Sequence, residues 1–192
     1  MFLHLSSIYP MTPALIEDLM KVVDFIQVKR TACILKPGEV CDRLYYIHKG
    51  LLRCYYIHTD DDTGLSTEIS TWFMRERDVC VSVESHYLQE PSYEYIQALE
   101  HSELFSIAKS DLDAIYRKHL EFNFTGRELT THYLVEWVRQ INGIRKLKVA
   151  ERYEALRKRD PELLQRVPQK YLASFLDTTP ETIARIRSGA IN

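Results

Sequence analysis

The chain has 192 residues, 45% of them hydrophobic and 27% charged. That profile excludes a disordered or fibrous protein and leaves one large domain or two small ones with a core of useful size. The net charge of −2 is unevenly placed: from residue 145 onward eleven Lys and Arg stand against six Asp and Glu. A basic C-terminal quarter behind an acidic body suits a polyanion-binding end.

No run of about 18 apolar residues occurs, and Met1-Phe2-Leu3-His4 lacks the basic start and long apolar stretch of a secretory signal. The expectation is a cytoplasmic protein with no membrane partner. Cys33, Cys41, Cys54 and Cys80 form no Cys-x-x-Cys pair, which argues against zinc or iron–sulfur chemistry and for free, structural thiols.

Residues 12–24 read as a helix, with Thr12-Pro13 as cap and first turn and Leu15, Ile16, Leu19, Met20 and Val23 as its apolar face. From Phe25 to Ile107 the pattern changes to short β-type runs. Phe25-Ile26-Gln27-Val28, Ala32-Cys33-Ile34-Leu35 and Leu44-Tyr45-Tyr46-Ile47-His48 are joined by Lys36-Pro37-Gly38-Glu39 and Lys49-Gly50 turns. A hairpin tip at Asp60-Asp61-Asp62-Thr63-Gly64 follows a strand over 51–57, and further strands are expected over 67–74, 95–99 and 103–107. About seven such strands predict a closed antiparallel roll.

After Ser110, taken as a cap, the period is helical. A long helix is expected over 121–143, with Leu134, Trp137, Ile141 and, just beyond, Ile144 three and four residues apart and Leu129 and Tyr133 beside them. An apolar stripe this long favours a partner helix in a two-fold dimer over simple packing on the roll. A further helix covers 146–159.

Gln169 to Arg187, QKYLASFLDTTPETIARIR, is the most informative stretch. Pro168 can open a helix whose inner face is Leu172, Phe175 and Leu176, and Ala173 is small where a second helix must cross. Asp177-Thr178 makes the turn. Thr179 is a good N-cap, Pro180 suits the first helical position, and Glu181 favours the positive end of the helix dipole. Ile183 and Ile186 face back. These offsets describe a helix-turn-helix. Pro180, Glu181, Thr182 and Arg185 would then face a major groove: Arg suits guanine, Glu suits cytosine, and the Thr methyl suits thymine. Gln169, Lys170 and Arg187 are placed for phosphates.

Given these motifs, the chain resembles the Crp/Fnr superfamily, the relatives of the cyclic-AMP receptor protein, and its short-tailed bacterial branch in particular. The resemblance rests on Lys36-Pro37-Gly38-Glu39, on Tyr45 to Arg53 (Tyr-x-Ile-x-x-Gly-x-x-Arg), on the long helix, and on RVPQKYLASFL and TPETIARIR. It implies an α+β chain: an antiparallel β-roll (double-stranded β-helix) sensor over 1–120, a dimerisation helix over 121–144, and a helix-turn-helix DNA-binding domain over 145–192 with little or no wing. It also implies double-stranded DNA, a second copy of the chain, RNA polymerase and an unidentified small-molecule effector as partners. Where the family has glycine in the turn, Asp177 stands, a residue that tolerates the left-handed conformation.

In cyclic-AMP-binding relatives a Gly-Glu pair and an Arg-Ser pair hold the ribose and the cyclic phosphate. Here the matching segment is Val83 to Tyr93, with Glu84 for the glutamate and Ser92 for the serine. Val83 replaces the glycine, and Pro91 stands in place of the arginine, offering neither charge nor N–H. Cyclic AMP is therefore not expected as a cofactor. If another ligand is bound, Glu84, Ser85, Ser92 and Tyr93 are its candidate wall residues; the alternative is a polar loop packed on the roll. No cupin His-x-His, His-Glu-x-x-His, phosphate loop or nucleophile elbow occurs, so no catalytic or metal site is expected. A sensory or protein-interaction module that has lost specific DNA binding is the competing reading.

Overall fold

A computed structural model of the chain describes residues 1–190. It divides into two compact units, one of Met1–Cys54 with Phe73–His132, the other of Tyr55–Trp72 with the chain from Tyr133 onward.

The first unit opens with α1 (Phe2–Ile8), which carries no side-chain cap and buries only Leu5, so no sequence signal marks it. In α2 (Pro13–Val22) the Thr12 hydroxyl accepts the Leu15 N–H at 3.2 Å, and Leu15 and Leu19 are buried. The helix stops two residues short of the expected end because Val23 begins β1 (Val23–Val28) and pairs with Ile107. Strands β2 (Cys33–Leu35), β3 (Arg43–Lys49), β4 (Leu52–Thr59), β5 (Ser66–Met74), β6 (Val79–Cys80), β7 (Tyr95–Ala98) and β8 (Ser102–Ala108) complete the roll. They form two four-stranded sheets, ordered β1-β8-β3-β6 and β2-β7-β4-β5, and β8 pairs antiparallel with both β1 and β3.

Between β3 and β4 the chain reverses at Gly50, whose φ is +112°. A Cβ there would stand 2.8 Å from the Ser102 Cα, so both conformation and space demand glycine. Arg53 on β4 is fully buried and donates from Nη2 to Gln97 Oε1 at 3.1 Å. An apolar cluster of Leu5, Leu15, Leu19, Tyr46, Ile107, Leu112, Ile115 and Phe122 packs the helices on one sheet.

Two short helices frame this unit, α3 (Val83–Leu88) and α4 (Lys109–Lys118). Ser110 does not cap α4: the helix begins two residues earlier than expected, Ala108 holds the cap position, and the Lys109 N–H is taken by Asp42 O at 2.7 Å. The long helix α5 (Phe122–Lys146) outlasts the expected stop at Gly143, because an isolated glycine with ordinary helical φ weakens a helix without ending it.

In the second unit, α6 (Val149–Arg159), α7 (Leu163–Arg166), α8 (Gln169–Phe175) and α9 (Pro180–Arg187) follow the end of α5. Buried Tyr153, Leu156, Leu163, Leu164, Leu172, Ile183 and Ile186 make its core. The hairpin of residues 55–72 is tied to α8: the Ser70 N–H donates to Ser174 Oγ at 3.1 Å, and that hydroxyl donates to Ser70 Oγ at 2.9 Å. Among the described residues no helix is long and apolar enough to cross a membrane.

Candidate nucleic-acid interface

Helices α8 and α9 cross where Leu172, Ala173 and Ile183 leave no more than 1% of their surface exposed. Only a residue as small as Ala173 admits so close an approach. The turn between them closes through the Thr178 N–H to Ala173 O at 3.0 Å and the Asp177 N–H to Ser174 O at 3.2 Å. Asp177 takes the left-handed φ of +52°, the conformation for which the turn would otherwise favour glycine. Arg152 on α6 donates from Nη2 to Asp177 O at 3.3 Å, a brace that no local sequence motif announces.

At the start of α9 the Thr179 hydroxyl accepts the Thr182 N–H at 3.3 Å, and Pro180 occupies the first helical position. The Glu181 carboxyl is held below its ordinary range by its own backbone N–H and by Thr179, as the free N–H groups of a helix start dictate. Ile183 and Ile186 point inward, while Glu181 and Arg185 are exposed and Pro180 and Thr182 half-buried. Apolar and polar residues thus sit on opposite sides of one short helix.

The residues assigned to phosphates divide. Lys170 is exposed, its Nζ 4.5 Å from the centre of the Tyr171 ring. Gln169 instead donates from Nε2 to Pro180 O at 2.5 Å, locking the start of α8 to the start of α9. Arg187 donates from Nε to the Tyr153 hydroxyl at 3.2 Å and from Nη2 to Leu164 O at 3.1 Å, so its guanidinium stitches α9 to α6 and α7.

On α5, Leu134 and Trp137 are each 55% exposed, with Val135 and Val138 also open and Ile141 half-buried. The middle of the stripe legible in the sequence, from Leu134 to Val138, is thus left largely open by the described residues, while Leu129 packs against the apolar cluster of the first unit.

The segment matched to a phosphate cassette is folded on itself. Glu84 is exposed and Tyr93 points largely to solvent. Ser85 is buried and fully engaged, accepting the Cys41 N–H at 2.8 Å and donating to Glu90 O at 2.6 Å. Ser92 reaches inward to other polar side chains: its hydroxyl lies 3.1 Å from Ser82 Oγ, and Ser82 also donates to Glu94 Oε2 at 3.1 Å. Glu94, which no sequence motif singles out, thereby sets a carboxylate on the same Ser82 hydroxyl that meets Ser92. Pro91 forms an isolated bridge with Val40.

Nearby, burial pushes the Cys41 thiol upward, and a hydrogen bond to Cys54 together with burial pushes Cys80 well above the usual thiol range. All four cysteines are free. Among the described residues no group of three or more His, Cys, Asp or Glu is placed to hold a metal ion.

Residues 25–119 match the family model of the cyclic nucleotide-binding domain. Solved structures with the same fold include a Crp/Fnr-family protein from Eubacterium rectale, at 18% identity over 95% of this chain and 87% of that one, with a TM-score of 0.70. FixK2 from Bradyrhizobium japonicum shares 16% identity over 88% and 84%, with a TM-score of 0.69. The c-di-GMP responsive global regulator CLP of Xanthomonas campestris shares 16% over 93% and 91%, with a TM-score of 0.68. No curated protein matches the chain. Residues 25–119 thus resemble the cyclic nucleotide-binding domain over just under half of the chain, and the chain as a whole shares the fold of these Crp/Fnr-type structures.

Proposed function

We propose that this chain is a DNA-binding transcriptional regulator of the Crp/Fnr type that engages DNA as a homodimer. The observation that carries the reading is the two-sided character of α9, with Ile183 and Ile186 buried and Glu181 and Arg185 exposed. A helix with its apolar side held by α8 and its polar side free is what a major groove accepts. In this reading Arg185 donates to guanine, Glu181 accepts from cytosine, Thr182 touches a thymine methyl, and Lys170 contacts phosphate.

The open stripe of Leu134, Trp137 and Val138 supports pairing of two α5 helices, since burying such a face is the usual drive for a two-fold seam. The dimer would present two α9 helices to successive major grooves, with RNA polymerase as the downstream partner. Cyclic AMP is not the proposed effector. Pro91 supplies no cation, and the Glu94 carboxylate, held by the Ser82 hydroxyl that also meets Ser92, repels a phosphate.

The test is fluorescence polarisation on pooled genomic fragments across a salt series. A regulator selects a palindromic sequence with half-sites about one DNA turn apart. Weak, unselective binding that vanishes near physiological salt would instead make the chain a protein-interaction module.

A further inference from the structure

Two neighbouring residues of α6 fasten the helix-turn-helix within the second unit. Arg152 donates from Nη2 to Asp177 O at 3.3 Å, in the turn before α9. The Tyr153 hydroxyl accepts Arg187 Nε at 3.2 Å, at the last residue of α9. The recognition helix has eight residues, a length of about 12 Å. One turn of α6 thus holds it at both ends.

The same arginine reaches back to α5. Its Nη1 donates to Ile144 O at 3.1 Å. That carbonyl has lost its helical partner, because the Lys148 N–H is turned to Glu151 Oε2 at 2.7 Å. A cation suits an open carbonyl at a helix C-terminus. Further along, Glu136 on α5 accepts Arg159 Nη1 at 2.9 Å, at the last residue of α6. The two ties run in opposite order along the helices, so α5 and α6 form an antiparallel pair fixed at two points.

Arg152 pairs with no carboxylate among the described residues, and its Nε is shut off from solvent without an acceptor. The guanidinium therefore sits where the two carbonyls place it, at the expense of one of its own donors. Those carbonyls belong to elements with different tasks. Ile144, 38% exposed, continues the apolar stripe of α5, and Asp177 makes the turn that aims α9.

We propose that Arg152 is a positioning residue that sets the spacing of the two recognition helices in the DNA-bound dimer. It does so by locking the turn before α9 to the seam end of α5. The inference rests on the dimeric DNA-binding reading and deepens it: the dimer selects the distance between half-sites as well as their bases. One base pair added between half-sites moves them about 3.4 Å apart and turns them by about 35°. A rigid link from seam to recognition helix does not absorb that change. Lysine cannot replace the arginine, since a single ammonium does not span two carbonyls on separate elements.

The test uses the full chain and the palindrome it selects from a pool of random-sequence DNA duplexes. Fluorescence polarisation is read on that palindrome, on versions with one base pair added or removed between the half-sites, and on a duplex with a single half-site. For the wild type, altered spacing is expected to cost about tenfold or more in affinity. Arg152→Gln and Arg152→Lys are expected to cut that penalty to about threefold or less, with half-site affinity within about twofold of wild type. Arg152→Lys keeps the charge beside Ile144 O and is the variant to read if Arg152→Gln fails to fold. An arginine that merely supports the fold would lower affinity on every duplex by one factor and leave the spacing penalty intact. That outcome, or a wild type indifferent to spacing, would overturn the proposal. Failure of the variants alone leaves the regulator standing, whereas a wild type that selects no palindrome removes both.

Discussion

His119 Nε2 lies 2.9 Å from Asp18 Oδ2, and the same carboxylate takes the ammonium groups of Lys118 and Lys21. One acidic side chain on α2 thus gathers the C-terminal end of α4, where cations are favoured by the helix dipole. These bonds, the one from Lys118 foremost, hold the Asp18 carboxyl far below the usual carboxylate range. Because its pKa is depressed in the folded state, the stabilisation is complete above about pH 4, the range of a free Asp, and is lost as pH falls through the folded value. Asp18→Asn should therefore lower the melting temperature at pH 7, and the gap to wild type should narrow as the pH drops from 5 toward 2.5. A gap unchanged over that range would show that the carboxylate charge is not the stabilising element.

The thiols of the roll give a second test. Cys41, Cys54 and Cys80 are buried, and Cys41 and Cys80 have their thiols shifted upward, so little reactive thiolate exists at neutral pH. Cys33 is only half-buried. Brief iodoacetamide treatment of the native protein, read by mass spectrometry, should modify Cys33 and leave the other three until denaturant is added. Native labelling of Cys80 at a rate comparable to Cys33 would mean that the roll opens readily.

The turn of the helix-turn-helix is a third. Asp177 sits at φ +52°, which glycine adopts without a Cβ penalty, so Asp177→Gly should stabilise the chain by about 0.5–1 kcal/mol in urea unfolding. Thr179→Ala removes the acceptor for the Thr182 N–H and should cost about 1 kcal/mol. If both substitutions prove neutral, the turn is not formed in solution as described.

What was legible in the sequence follows from how local the signals are. The cap at Thr179, the small Ala173 and the inward Ile183 and Ile186 lie within one nineteen-residue stretch, each with its own steric reason, and all stand where expected. The stripe at Leu134 and Trp137 needs only helical periodicity. By contrast, Glu94 gains its place beside Ser92 through Ser82, twelve residues back in the chain. Gln169 and Arg187 resemble phosphate contacts in composition, yet their partners Pro180, Tyr153 and Leu164 are brought to them by tertiary folding. Helix α1 escaped because it has neither a capping side chain nor a clear apolar period.

The dimer seam yields a fourth expectation. Trp137 is 55% exposed on α5 beside Val138. Trp137→Glu would place a charge at the centre of a buried seam without disturbing the monomer's core. Light scattering should show the mass halved at micromolar concentration, and affinity for a palindromic site should fall with it, since each half-site would bind alone. An unchanged monomeric mass in both proteins would remove α5 as the seam.

Arg185 and Arg187 stand two residues apart on α9, and their surroundings predict opposite phenotypes. Arg185 is exposed, with no hydrogen bond or ion pair from its guanidinium among the described residues, whereas Arg187 reaches Tyr153 and Leu164. Arg185→Ala should leave unfolding nearly unchanged and cost about 1–3 kcal/mol on the preferred DNA site, with less effect on other sequences. Arg187→Ala should cost about 1 kcal/mol of stability through its lost hydrogen bonds. Its DNA affinity should fall only as far as α9 loosens, equally on every sequence. Measuring unfolding and binding for both variants separates a residue that reads bases from one that holds the reading helix in place. Should Arg187→Ala instead leave stability untouched and reduce the salt dependence of binding, its guanidinium would be a phosphate contact in solution, and the bonds to Tyr153 and Leu164 would have to break when DNA arrives.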